Sequence, residues 1–322
     1  MKTLFIPNNS CEWQAHFNWK NYENDKTDLL FCYGTDAGYT MDQPKNFKYN
    51  FYYELDEPNG FIKGKLPHER EKWDIDNRIP NGKTTWDINF WTKILHICPY
   101  TAKWENEVYG VDKFVPVNLY FDPKYNMTNE KIYDVCYVGG LHTHNPGNIF
   151  LDLVGEISTI PNYRIVSYSD HPLVTDHHVS FAEKLNINSK SKISIVANLL
   201  HDTSTAAEVN RNISQIPNYK NNEAFKMLKH GLMPQIKNRI LEAAATKSLV
   251  LVLYDHWNVI EQYFTPDVHF IYFDQGELKE TVDECLSNWD HCEKIIDNMH
   301  THYMNNYTME KTYEKFLKPY DT

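Results

Sequence analysis

Short apolar runs recur along this chain, each closed by glycine, proline or asparagine and most followed by a stretch with helical spacing. "KTLFIP" stops at Pro7 and Asn8 and reads as a buried strand. "TDLLFCYG" and "KYNFYYEL" read as further strands, ended by Gly34 and by the turn "DEPNG". "WTKILHICP" contains another strand. "YTAKWENEVYG" is a helix closed by Gly110, and "VDKFVPVNLY" follows as a strand. "EWQAHFNWKNY" reads as a short helix, and the polar residues 64–86, broken by Pro67 and Pro80, as loop.

The pattern restarts after "FDPKYNMTNEK", residues 121–131, whose composition marks a linker. "YDVCYVGG" is a strand that stops at two glycines, and "NPGNIFLDLVGEIS" opens a helix. "YRIVSYS", "KISIVANLL", "SLVLVLYD" and "VHFIYFD" are strands, with "HHVSFAEKLN" a helix between the first two and residues 234–246 a helix before the third. Residues 202–232 are polar and read as a loop. "GELKETVDECLSNW", "DHCEKIIDNMHTHYMNN" and "MEKTYEKFLKPY" carry apolar residues near i, i+3, i+4 spacing and read as helices. Strands alternating with helices in both halves give an α/β fold with parallel sheets covered on both faces. The expectation is two Rossmann-like domains facing a cleft, residues 1–130 and 131–308, with a last helix at about 309–322 packing back on the first.

Length agrees, since 322 residues exceed what one core supports. A formal charge of −11 argues against a general nucleic-acid binder, which carries a basic footprint. The six cysteines form no CxxC pair, so they read as buried thiols rather than a zinc or disulfide framework. The N-terminus is too short in apolar residues for a signal peptide, and no run approaches the ~20 residues of a membrane span. A soluble, cytoplasmic protein without an integral membrane segment is expected.

Two constellations could carry chemistry. In "YVGGLHTHNPGN", Gly139 and Gly140 lie between a strand and a helix, where backbone can approach a phosphate and the helix start favours negative charge. A plain tight turn explains the same glycines. His142 and His144 are two apart, and with no third ligand near they suit a hydrogen bond to sugar or phosphate better than a metal. The second constellation is the helix 234–246. Gln235, Arg239 and Glu242 are spaced to share one of its faces. They could form a surface Arg239–Glu242 pair worth only ~0.2–0.5 kcal/mol. Alternatively, a guanidinium there forks onto phosphate oxygens and a carboxylate accepts ribose hydroxyls.

The series "KNRILEAAATKSLVLVLYD", Phe264-Thr265-Pro266-Asp267, Phe273-Asp274, Glu277-Leu278 and Tyr307-Thr308 resembles the C-terminal part of GT-B glycosyltransferases. The pattern is of the glycosyl transferases group 1 type, including its CgeB-like branch, and covers about 132–317. The resemblance implies a transferase moving a sugar from a nucleotide-sugar donor (a UDP- or GDP-sugar) to an acceptor hydroxyl, without metal or other cofactor. Glu242 would hold the donor ribose, and Arg239 and Lys237 would face the diphosphate beside Gly139, Gly140 and His142. Tyr254 and Asp255 would lie near the donor, and Asp274 near the base unless it only stabilises the start of its helix. The acid seven or eight residues before Glu242 in the better-known retaining branch is missing, with Pro234 and Gln235 in that region, so retention and inversion stay open. A base for the acceptor would come from the N-terminal half, where Asp36 and Glu57 follow strands. The partners implied are the nucleotide sugar and a glycan, lipid-linked or protein acceptor. Two competing readings keep the fold: a non-catalytic carbohydrate- or nucleotide-binding protein, and a nucleotide-sugar epimerase.

Overall fold

The computed structural model describes residues 4–6, 29–33, 48–54, 89, 91–97, 99–141, 148–201, 226 and 230–320. The chain divides into two compact units. One comprises Met1–Asn118, Ser204–Met233 and Tyr313–Thr322, and the other Leu119–Thr203 and Pro234–Thr312.

In the first unit five strands lie side by side in chain order: Leu4–Ile6, Leu29–Tyr33, Tyr49–Glu54, Lys93–His96 and Phe114–Pro116. Every neighbouring pair is parallel. Phe51, Ile94, Leu95 and Phe114 are buried between the sheet and its cover. The helix Pro99–Tyr109 connects the last two strands and ends at Gly110, whose φ of +65° is the left-handed conformation that terminates helices. Asn106 ties the return of the chain: its Oδ1 accepts from the amides of Lys113 and Phe114, and its Nδ2 donates to the Phe114 carbonyl. Tyr320 sets its ring edge-on to Tyr49 and Phe51 at 5.1 and 5.0 Å.

The second unit holds six parallel strands in the spatial order Ile271–Phe273, Leu249–Leu253, Ser191–Ala197, Tyr133–Val138, Tyr163–Ser167, Asp176–His177. All five residues of Leu249–Leu253 are buried, as an apolar run in the middle of a parallel sheet requires, at about 1.5–3 kcal/mol for each large side chain. The helices start where the sequence supplies caps. Asn148 Oδ1 accepts the Phe150 amide at the head of Ile149–Ile157, and Ser180 Oγ accepts the Glu183 amide at the head of Phe181–Ser189. Cys136, Cys285 and Cys292 are free and buried, behaving as small apolar residues.

The expected strands and most helices are present where described, and three stretches differ. Residues 234–246 are not one helix, because the helix spans only Arg239–Ala245. Residues 235–237 before it belong to no helix or strand. The last helix is broken into Met309–Thr312, a π turn Tyr313–Leu317 and a 3-10 turn Lys318–Tyr320. Pro319 has no amide hydrogen to continue an α-helix. Residues 121–131, read as a linker, pack onto the second unit. Phe121 is wholly buried and bridges Thr308, the Met127 amide donates to Ala245 O at 3.2 Å, and Lys131 Nζ donates to Thr246 O at 3.1 Å. The helix expected in "EWQAHFNWKNY" lies outside the described residues, as do residues 64–86 and 202–225.

Candidate functional site

Numbered along the chain, the second sheet runs 3-2-1-4-5-6. Its connections therefore reverse direction between Tyr133–Val138 and Ser191–Ala197. At such a reversal two crossovers leave in opposite directions and open a crevice at the carboxyl ends of the strands, where open α/β sheets bind their ligands. The residues following these two strands, and those following the neighbouring strand Leu249–Leu253, are the ones to weigh.

After the first strand come Gly139 and Gly140. A Cβ on Gly139 would stand 2.6 Å from the Tyr137 hydroxyl and 2.8 Å from its ring, so any side chain here would have to displace the end of the tyrosine folded over it. The Gly139 amide is spent on Val166 O at 3.0 Å and that of Leu141 on Ser169 Oγ at 3.2 Å. Exposed Gly140 lies between them. Asn148, besides capping its helix, donates from Nδ2 to Leu141 O, bracing the two ends of the loop. His142 lies outside the described residues.

After Ser191–Ala197 comes Asn198, wholly buried. Its carbonyl accepts the Gln235 amide at 2.7 Å and its Oδ1 accepts the Lys237 amide at 3.1 Å. Two alternate amides held by one residue keep 235–237 out of the helix, which starts only at Arg239. Gln235 thus lies outside the helix and does not share a helical face with Arg239 and Glu242. The same clamp carries Lys237 and Arg239 to the end of the strand at the reversal. Lys237 Nζ donates to Gln235 Oε1. Burial of that ammonium, and then the charge of Arg239, pull its pKa down to about 7. Arg239 is half-buried and has no ion-pair or hydrogen-bond partner among the described residues. Its field reaches the buried Tyr137 hydroxyl, whose pKa burial raises while Arg239 draws it back.

The alternative of an Arg239–Glu242 surface pair is not realised. Glu242 is 3% exposed, and its Oε1 takes Lys184 Nζ of the helix Phe181–Ser189 at 2.7 Å. Lys184 also stands 4.4 Å from the centre of the Phe181 ring. Breaking a buried pair of this kind by removing one partner costs about 3–5 kcal/mol.

After Leu249–Leu253 come Tyr254 and Asp255. Tyr254 is half-buried, its ring edge-on to those of His256 and Tyr272 at 4.8 and 5.3 Å. Asp255 is wholly buried, and its Oδ1 accepts the amides of Trp257 at 2.9 Å and Asn258 at 2.7 Å. Burial outweighs these bonds and raises its pKa to about 6. The turn it organises puts two non-glycine residues in the left-handed region, His256 at φ 58° and Asn258 at φ 53°. Such conformations cost of order 1–3 kcal/mol each and gather at functional sites. Five buried polar atoms in these segments lack hydrogen-bond partners among the described residues: Asn198 Nδ2, Asn238 Oδ1 and Nδ2, Asp255 Oδ2 and Asn258 Oδ1. Each costs about 1–3 kcal/mol if left unsatisfied.

Asp274 follows the strand Ile271–Phe273 and is exposed. It does not cap the next helix. Glu156, from the helix Ile149–Ile157, accepts the amides of Gly276 at 3.0 Å and Leu278 at 3.3 Å in that role. Asp36 and Glu57 lie outside the described residues. Among the described residues no three His, Cys, Asp or Glu gather as a metal site, and no helix is long and apolar enough to cross a membrane.

Asn198, Lys184 and Tyr137 belong to this region although no motif in the sequence marks them. Asn198 had a signal, as a polar residue breaking the run "ISIVANLL". Lys184 had none, since its partner is 58 residues away.

A family described as glycosyl transferase-like matches residues 147–318. No curated protein matches the sequence. Similar solved structures include TarM, at TM-score 0.54 and 9% identity, with 92% of this chain and 56% of TarM covered. Anabaena HepE in complex with UDP gives 0.54 and 9%, covering 91% of this chain and 78% of HepE. Sucrose-phosphate synthase from Thermosynechococcus elongatus gives 0.53 and 10%, covering 91% and 73%. The chain thus spans little more than half of TarM. At these identities the likeness shows the fold, GT-B with two Rossmann-like domains.

Proposed function

This chain belongs to the glycosyl transferase-like family, and from that premise we propose that it transfers a sugar from a UDP- or GDP-sugar to an acceptor hydroxyl. The donor would bind at the carboxyl edge of the second sheet. The observation that carries this reading is the pair of cations, Lys237 and Arg239, brought to the strand reversal by Asn198, with Arg239 unmatched by any acid among the described residues. A half-buried guanidinium in a chain of net charge −11 calls for an anion, and a diphosphate offers oxygens in the forked geometry arginine prefers.

The other assignments follow from position. Gly140 offers backbone to the same phosphates. Glu242 has one carboxylate oxygen on Lys184, leaving the other for a ribose hydroxyl. Tyr254 and Asp255 border the sugar, and exposed Asp274 the base. Arg239 and Lys237 would neutralise the leaving diphosphate, so the reaction is proposed to run without metal. The base that activates the acceptor is assigned to Asp36 or Glu57, and the acceptor to a glycan, lipid-linked or protein hydroxyl. UDP and UDP-glucose are bound in the HepE structures, which supports the donor class.

A thermal-shift screen against UDP, GDP, ADP, CMP and their common sugars tests the reading, since a ligand that binds only the folded state raises the melting temperature with occupancy. One nucleotide class should stabilise the protein, with slow donor hydrolysis accompanying it. Stabilisation without hydrolysis or transfer would indicate a binding protein on the same fold. No stabilisation at millimolar concentration would overturn the donor assignment.

A further inference from the structure

Two of these unpaired atoms, Asn198 Nδ2 and Asp255 Oδ2, belong to residues that follow neighbouring strands, although 57 residues separate them along the chain. Ala197 and Leu253 are register partners in neighbouring parallel strands, so Asn198 and the Tyr254-Asp255 step leave the sheet side by side at its carboxyl edge. Both side chains are wholly buried. In each, one atom is committed to the protein: Asn198 Oδ1 to the Lys237 amide, and Asp255 Oδ1 to the amides of Trp257 and Asn258. The other atom of each has no partner among the described residues, and one is a donor while the other is an acceptor.

We propose that Asn198 and Asp255 together recognise one hydroxyl of the glycosyl group of the donor, an inference that rests on the nucleotide-sugar reading above. A hydroxyl accepts one hydrogen bond and gives another, so it satisfies Asn198 Nδ2 and Asp255 Oδ2 at once. A phosphate oxygen only accepts. It would suit Asn198 but be repelled by the Asp255 carboxylate. The donor is thereby oriented, its diphosphate on the Lys237–Arg239 side and its sugar on the Asp255 side. The left-handed His256 and Asn258 fit this role, because they hold the turn that fixes the carboxylate. Asn198 serves both ends, clamping the phosphate-binding segment through Oδ1 and reading the sugar through Nδ2.

The test uses swaps that keep the committed atom and change only the free one. Affinities of the full chain for UDP, UDP-glucose and UDP-N-acetylglucosamine, and for GDP and GDP-mannose, would be measured by calorimetry. The quantity read is the ratio of nucleotide-sugar to nucleotide affinity, in which any effect on the diphosphate cancels. Asp255→Asn and Asn198→Asp should each lower that ratio about tenfold, about 1.4 kcal/mol. The double variant should recover to within about threefold, because a hydroxyl can turn over and exchange its roles. The unaltered chain supplies a check free of folding effects: among UDP-glucose analogues lacking one hydroxyl, one should lose about tenfold. Unchanged ratios in both single variants, or losses that merely add in the double, would overturn the proposal. Failure of the unaltered chain to bind UDP or GDP would instead overturn the donor reading beneath it.

Discussion

The two sheets are alike in material and differ in order. Both are parallel, and both have strands rich in Phe, Leu, Ile, Val and Tyr. In the first, the described strands follow one another in chain order from edge to edge. In the second the order reverses beside Ser191–Ala197. The unmatched arginine, the depressed lysine and the unpaired atoms of Asn198 and Asp255 all lie at strand ends of the second sheet, at that reversal or next to it. Strand composition therefore tells that a sheet is parallel and buried, while connectivity decides where a ligand can sit.

The largest expected effect separates the ion pairs of the two units. Lys184→Met leaves Glu242 buried without its cation and should cost about 3 kcal/mol, lowering the melting temperature by several degrees. Lys93 in the first unit lies 3.5 Å from the Asp112 carboxylate, which is 96% exposed, so Asp112→Ala should cost well under about 1 kcal/mol. Equal losses in thermal denaturation would show that burial does not distinguish the pairs.

Next in size is donor affinity. Arg239→Ala should weaken UDP about 30-fold or more, the worth of a forked charge-assisted contact. His96→Ala, at the end of a strand in the first sheet, should leave UDP affinity within about twofold while destabilising a buried position. A donor loss in the second variant matching the first would erase the contrast between the sheets.

A pH series sharpens it further. Lys237 titrates near 7 when folded and at the ordinary lysine value when unfolded. The unfolded chain therefore binds more protons between about 7 and 10.5. The stability tied to this group grows as pH rises through that window and is lost as pH falls back. A bound diphosphate favours the charged form, so UDP affinity should fall as pH rises above about 7, by at most about tenfold per unit. Calorimetry in buffers of different ionisation enthalpy should show proton uptake on binding, absent in Lys237→Arg. The smallest effect concerns the helix Leu278–Ser287. Glu156→Ala removes its cap and should cost about 1 kcal/mol. Asp274→Ala should stay within about 0.5 kcal/mol, as an exposed residue does.

Local sequence carried the strands well. "SLVLVLYD" and "YDVCYVGG" became Leu249–Leu253 and Tyr133–Val138 because burial on both faces demands an unbroken apolar run. It carried Arg239 and Glu242 as candidates but not their surroundings. The segment before Arg239 looked helical because its residues permit a helix. It is not helical because Asn198 binds two of its alternate amides, those of Gln235 and Lys237. Glu242 looked like a partner for its neighbour Arg239, yet its cation comes from a different helix. The strand order that marks this edge as the candidate site is set by pairing between distant segments, which no local window contains.

The central claim is that Arg239 at the strand reversal binds the donor diphosphate. Titration of UDP into the unaltered protein and into Arg239→Ala, with melting temperatures measured alongside, tests it most directly. UDP affinity should be at least about 30-fold weaker in Arg239→Ala, with the melting temperature unchanged to within a few degrees. Equal UDP affinity in the two proteins would contradict it and leave Arg239 an ordinary surface cation.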